Sequence, residues 1–382
     1  MRSRHKEAPS IIDLFSGAGG LSLGAARAGF SVRAAVETDK KAIETHVKNF
    51  PETIHLDKDI SLLSGKNLLE CSNLKAGELD GLIGGPPCQG FSHMGHNNVN
   101  DIRNDLFIHF FRLVSEVKPK FFLAENVPGL LNARYDKIRE NALTYIQNDY
   151  IYLKPFKAVA SDFGAPTTRT RYFFIGFSSN CLNTLNEEDF SSLTCPEEDK
   201  TTVGRALAGL PSEIDPQWQD EDSGWRKLEK PYRKKGFFEE RLYGFIPENV
   251  GMKIALERLH QKHEVSGCLG TKHTYNVEQR YAALSPREVD HVTKSMRLDL
   301  QGFCPTLRAG TGPDKGSYQA VRPIHPTMPR VITPREAARL QGFPDWFVFH
   351  KTKWHSFRQI GNSVSPLVAE KIMNLILDKL LA

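Results

Sequence analysis

Short apolar runs alternate with stretches of helical spacing through the first 178 residues. Residues 11–15, 32–37, 79–83, 121–124, 152–159 and 172–177 have the length and the β-branched or aromatic content of buried strands. Between them, residues 21–28, Lys40–Asn49, Asp105–Val117 and 135–147 repeat apolar positions at helical intervals. This alternation predicts βαβ units and a doubly wound α/β fold with a mainly parallel sheet. From residue 178 to about 329 the texture changes to Pro, Gly, charge and isolated aromatics, which predicts a second, smaller and irregular domain. Beyond it, residues 333–340 read as a helix with Thr333 as N-cap and Pro334 at the first helical position. Pro366–Leu381 reads as an amphipathic helix. The resulting division is a large domain, 1–180, completed by 356–382, and a small one, 181–355, that includes the 333–345 helix.

Composition changes this picture little. A chain of 382 residues with 40% hydrophobic and 25% charged content suffices for one large core and a second domain. A net charge of +5 is compatible with a polyanionic partner but does not demand one. The six cysteines, at 71, 88, 181, 195, 268 and 304, form no C-x-x-C pair, and no Cys/His group has zinc-site spacing, so neither a disulfide scaffold nor a metal is expected. No apolar run approaches the ~20 residues needed to cross a bilayer. The expectation is a soluble protein of a reducing compartment.

Four segments carry chemistry. Asp13-Leu14-Phe15-Ser16-Gly17-Ala18-Gly19-Gly20 follows a strand and opens a helix, so its glycines let backbone pass close to a ligand. Alone, such a turn suits dinucleotide and S-adenosylmethionine binders alike. Glu37, one strand later, suits ribose hydroxyls. Gly84-Gly85-Pro86-Pro87-Cys88-Gln89-Gly90-Phe91-Ser92 places a cysteine in a stiff loop at the carboxyl edge of the sheet, where α/β enzymes bind ligands. Glu125-Asn126-Val127-Pro128 ends another strand, so Glu125 and Cys88 can meet at one rim. In Arg169-Thr170-Arg171 the two arginines share a strand face.

Together with Arg335-Glu336-Ala337-Ala338-Arg339-Leu340-Gln341-Gly342-Phe343-Pro344 and Gln359-Ile360-Gly361-Asn362-Ser363-Val364, these segments resemble, in order and spacing, the motifs of the DNA (cytosine-5) methyltransferase family. The resemblance spans nearly the whole chain except about 180–329. It implies a Rossmann-like S-adenosylmethionine-dependent domain plus a target-recognition domain, and a reaction in which a cytosine is flipped from duplex DNA and methylated through a covalent Cys88 adduct. It also implies roles. Cys88 would be the nucleophile, Glu125 would contact N3 and the amino group of cytosine, and Arg171, helped by Arg169, would hold O2 and phosphate. Phe15, Gly17, Gly19, Gly20, Glu37, Thr38, Asp59, Ile60, Pro86, Asn362, Ser363 and Val364 would bind the cofactor. Thr167 and Thr38 depart from the family pattern, where a Gln and an aromatic ring often stand.

For DNA, the candidates are Gln89 and Ser92 in the cysteine loop, Arg226, Lys227, Arg233 and Lys234 in a basic and aromatic cluster that also holds Trp225, Lys230, Phe237 and Phe238, and Thr306 and Arg308 in a groove-contacting turn. Residues such as Arg280, Arg287, Lys294 and Arg297 add charge nearby. The expected partners are double-stranded DNA and a functionally paired restriction endonuclease, with the chain a cytoplasmic, bacterial-type monomer. A tRNA cytosine-5 methyltransferase would carry the same Cys and Glu motifs, but a recognition segment of about 150 residues favours duplex DNA. A dinucleotide oxidoreductase leaves Pro-Pro-Cys unexplained, and a catalytically silent DNA-binding module leaves Cys88, Glu125 and Arg171 unexplained.

Overall fold

A computed structural model describes residues 8–87, 105–181, 183–215, 222–230, 236–310 and 321–382. The first part of the chain runs β1 (Ser10–Leu14), α1 (Gly20–Arg27), β2 (Ser31–Glu37), α2 (Lys40–Asn49), β3 (Ile54–Asp57), α3 (Gly65–Cys71), β4 (Gly81–Gly84), α4 (Asp105–Val117), β5 (Phe121–Asn126), α5 (Asp136–Thr144), β6 (Tyr150–Tyr152), β7 (Phe156–Val159) and β8 (Thr170–Ser178). There follow α6 (Val203–Leu207), β9 (Arg226–Lys227), α7 (Phe237–Tyr243), α8 (Lys253–Glu257), β10 (Glu264–Val265), α9 (Tyr275–Ala283), α10 (Pro334–Leu340), α11 (Lys353–Asn362) and α12 (Pro366–Leu381).

One sheet of eight strands organises the large part, in the order β3-β2-β1-β4-β5-β8-β6, with β7 also paired to β8. Strands β1 to β5 are parallel and β6 to β8 are antiparallel additions. The strand order reverses between β1 and β4, and such a switch point opens a crevice at the carboxyl ends of the strands. One sequence expectation is corrected, and two short elements stand where none was predicted. Residues 152–159 form not one strand but two, because β6 and β7 pair with different halves of β8. Strand β3 and helix α3 escaped notice, being only four and seven residues long.

Caps set the helix boundaries. Asp39 accepts from the N–H groups of Lys41 and Ala42 at the start of α2. Thr333 and Glu336 form a reciprocal capping box on α10, with Pro334 at the first position. Helices α1 and α12 touch at Gly24, where a Cβ would lie 2.2 Å from the Ala369 Cβ and 2.6 Å from the Glu370 amide nitrogen. The arginines of α10 point inward. Arg339 makes a bidentate pair with Asp345 at 2.9 and 2.6 Å, both side chains fully buried, and Arg335 donates to the carbonyls of Ser266, Pro344 and Phe347. Residues 343–350, grouped by sequence with the recognition segment, pack on α2: Asn49 exchanges two hydrogen bonds with Val348, and Phe50 meets Phe347 edge-on.

Candidate active site

The ends of β1, β2, β4, β5 and β8 and the last turn of α11 surround a cavity of about 370 Å³. The chain from Phe15 to Gly19 alternates into the left-handed region, with φ of 60° at Phe15, 54° at Gly17 and 99° at Gly19. Only glycine adopts that region without cost, so Phe15 is a strained residue at a pocket wall. Glu37 fixes this turn: its Oε2 accepts from the Gly17 amide at 3.0 Å, and its Oε1 accepts from the amides of Thr38 and Asp39 at 2.8 and 2.9 Å. Gly20 is required at the start of α1, because a Cβ there would lie 2.3 Å from the Val364 carbonyl. Of the twelve expected cofactor residues, all but Gly19 line the cavity. Gly19 instead serves as the left-handed N-cap of α1, against His46 and Phe50.

At the opposite end of the cavity stands Glu125, buried at the end of β5. Arg171, at the start of the antiparallel neighbour β8, places its Nε 2.6 Å from Glu125 Oε1. Arg169 is buried, donating to the Leu307 carbonyl at 3.2 Å and the Asn362 carbonyl at 3.4 Å. It thereby ties the end of α11 to the chain at 306–310. The strand that leads to the cysteine loop is held here as well. The Gly85 amide donates to the Leu14 carbonyl, Asn126 Nδ2 donates to the Pro86 carbonyl, and a Cβ on Gly85 would lie 3.1 Å from Glu125 Oε2. Cys88, Gln89 and Ser92 lie outside the described residues, as do Arg233 and Lys234.

Thr306 and Arg308 are exposed on either side of buried Leu307, and the Arg308 carbonyl accepts from Arg322. Lys227 is exposed and Arg226 half-buried on the β9–β10 ribbon. The aromatic part of that cluster is corrected. Phe238 is buried in the core, the Arg241 guanidinium and the Lys371 ammonium cover Phe237, and Arg258 stacks 4.6 Å from the centre of the Trp225 ring, so these rings serve packing rather than bases. Arg280 and Arg297 are half-buried and engaged within the fold: Arg280 pairs with buried Asp290, and Arg297 caps the carbonyls of Tyr281, Ala282 and Leu284 at the end of α9.

A family model for C-5 cytosine-specific DNA methylases matches residues 10–378. The chain belongs to this family. It is 39% identical over 375 residues to the type II methyltransferase M.XorII of Xanthomonas oryzae pv. oryzae, covering 97% of this chain and 85% of that one. To M.DdeI of Desulfomicrobium norvegicum it is 31% identical over 389 residues, covering 96% and 88%. Among solved structures, an E. coli prophage protein described as a DNA modification methyltransferase superposes with a TM-score of 0.88 at 51% identity, covering 98% of this chain and all of that one. The S. pombe Dnmt2 methyltransferase, at 17% identity and a TM-score of 0.62 over 98% of this chain and all of that one, shares the fold. The chain is accordingly a DNA cytosine-5 methyltransferase, and the cavity is its candidate active site.

Asp13 and Gln359 stand within the motifs, and no role is legible for them in the sequence alone. Gln359 accepts from Thr45 and the His350 amide and donates to the Lys41 carbonyl, so it anchors α11 to α2. Asp13, fully buried, is hydrogen-bonded to the Ser22 hydroxyl, and its pKa is pushed up to about 7, first by burial and then by the Glu37 charge. A carboxylate inside an otherwise apolar strand was the signal for it.

Proposed function

We propose that the chain takes a methyl group from S-adenosylmethionine and places it on carbon 5 of a cytosine flipped out of duplex DNA, through a covalent adduct at Cys88. The setting we propose is a type II restriction-modification system with a paired endonuclease. In this reading the enzyme is a cytoplasmic monomer, with residues 181–355 as the recognition domain; no helix among the described residues is long and apolar enough to cross a membrane. The observation that carries the proposal is the Glu125–Arg171 pair, at 2.6 Å, in one cavity with the Glu37-pinned glycine turn and the Pro86–Pro87 strand end.

The cavity suits the cofactor. S-adenosylmethionine presents a flat purine, a ribose diol and a cationic amino-acid end. Phe15, Val36, Ile60 and Pro86 supply apolar wall, Glu37 and Asp59 supply acceptors, and Asp13 Oδ1 is buried with no hydrogen-bond partner among the described residues. When bound, the cofactor supplies an electrophilic methyl group. The protein makes carbon 5 reactive toward it: addition of the Cys88 thiolate to carbon 6 turns the ring into an enamine. Arg171 and Arg169 provide positive charge that favours the thiolate. Glu125, steadied by Arg171, holds N3 and the exocyclic amino group and stabilises the charge that builds as sulfur adds. Loss of the carbon 5 proton then allows the thiol to leave.

Flipping the base costs a few kcal/mol. We assign that work to the recognition domain, whose turn at Thr306 and Arg308 is tied by the Leu307 carbonyl to Arg169. Lys227, Arg226, Arg233, Lys234, Gln89 and Ser92 complete the proposed DNA contacts. The test is a duplex carrying 5-fluorocytosine, whose fluorine cannot leave as a proton does. The native enzyme should form an adduct that survives denaturing electrophoresis, and Cys88→Ala should bind DNA without one. An adduct in that variant, or methyl label entering tRNA alone, overturns the proposal.

A further inference from the structure

Asp13 lies at the floor of the cavity, at the end of β1, and it does not stand alone. Its Oδ2 is 2.5 Å from the Ser22 hydroxyl on α1, the Ser22 hydroxyl is 3.0 Å from His46 Nε2 on α2, and His46 Nδ1 is 2.8 Å from His55 Nε2 on β3. Asp13, Ser22 and His46 are buried, whereas His55 is half-buried and is not among the residues lining the cavity. The chain thus begins at a carboxyl whose free oxygen borders the cavity and ends at an imidazole away from it.

We propose that Asp13, Ser22, His46 and His55 form a proton relay through which entry of the cationic methyl donor expels a proton from the cavity floor. The inference rests on the cofactor reading above. With Asp13 protonated, its O–H donates to Ser22 Oγ, the Ser22 hydroxyl donates to His46 Nε2, and His46 Nδ1–H donates to His55 Nε2. With Asp13 ionised, every link reverses: Ser22 donates to the carboxylate, His46 Nε2–H donates to Ser22, and His55 Nε2–H donates to His46 Nδ1. The passage is balanced. The Asp13 O–H, Ser22 O–H and His46 Nδ1–H bonds break as the Ser22 O–H, His46 Nε2–H and His55 Nε2–H bonds form, and the second ring proton of His55 passes to water.

The surroundings set the direction. Before a cation enters, burial, aided by the Glu37 carboxylate, outweighs the Ser22 hydrogen bonds and favours protonated Asp13. A cation beside the free Oδ1 reverses that preference. Burial lowers the proton affinity of both histidines, so neither retains the proton at neutral pH, although the backbone at Thr53 partly offsets this for His55. The other charges around the cavity are largely committed: Asp39 faces Arg358 at 3.8 Å and Glu125 pairs with Arg171, while Lys58 and Asp59 stand on its wall.

The test is calorimetric titration of S-adenosylmethionine into the full-length protein at pH ~6.5, in buffers of differing ionisation heat. The native protein should release roughly three-quarters of a proton per site, and Asp13→Asn well under about 0.2. Nitrogen NMR of the native protein gives a second readout: on binding, the proton on the His46 ring should move from Nδ1 to Nε2. Saturable binding with no proton released, or with the His46 tautomer unchanged, overturns the relay. Failure of the native protein to bind S-adenosylmethionine overturns instead the cofactor reading beneath it.

Discussion

The carboxylate of Glu37 is the part of the pocket whose removal can be followed furthest. It accepts three backbone hydrogen bonds, one from Gly17 across to the glycine turn and two from its own following residues. Glu37→Gln conserves shape but leaves one acceptor oxygen. The less damaging rotamer keeps that oxygen on Thr38 and Asp39 and turns the amide nitrogen toward the Gly17 N–H. One charge-assisted bond is then lost and two become neutral, a penalty of about 2 kcal/mol at this half-buried site. Because the turn it releases lines the cavity, the penalty falls on cofactor binding, where it corresponds to roughly 30-fold weaker affinity. Calorimetry with S-adenosylmethionine measures this directly, with duplex DNA binding by gel shift as the control that should not change. Affinity within about threefold of native would refute the idea that Glu37 preorganises the turn.

Other substitutions probe the frame and the site. Gly24→Ala drives a methyl group into the backbone of α12 and should destabilise by about 3 kcal/mol in urea unfolding; a change under about 0.5 kcal/mol would show that the two helices separate easily. Arg339→Met leaves the buried Asp345 carboxylate with the more distant Arg335 guanidinium, at 3.8 Å, and should cost about 3 kcal/mol, and Arg339→Met with Asp345→Leu should recover part of it; a double variant no more stable than the single one contradicts the pairing. Arg169→Lys keeps the charge but cannot span the Leu307 and Asn362 carbonyls together, so turnover should fall about tenfold or more with the thermal midpoint nearly unchanged, and undiminished turnover would count against its bridging role. The raised pKa of Asp13, about 7, means that the folded state holds a proton the unfolded chain gives up near 4. Its contribution to stability is therefore greatest at low pH and is lost as pH rises through 7. Relative to Asp13→Asn, the native protein should lose roughly 2 kcal/mol between pH ~5.5 and ~8, and a constant difference across that range would contradict the shift.

The expected residues that the structure brings together share one property: their geometry is local. Strand ends in βαβ units all point to one rim, so Phe15, Glu37, Pro86 and Glu125 fall together once the strands are found, and Lys40–Asn49, Asp105–Val117 and Pro366–Leu381 appear with the same bounds in the structure because apolar spacing and end signals agree. What sequence missed depends on contacts that only the folded chain makes. Arg335 and Arg339 stand within a motif where sequence assigned them no role, and they are buried because Asp345 and the carbonyls of Ser266, Pro344 and Phe347 satisfy them. The basic and aromatic cluster looks like a nucleic-acid platform until Arg258, Arg241 and Lys371 are seen to cover two of its rings. Asp13 is the clearest case. A carboxylate in a strand buried at every position requires a partner or a proton. The sequence poses that requirement, but Ser22, His46 and His55 answer it from three other elements, which only the folded chain brings into line.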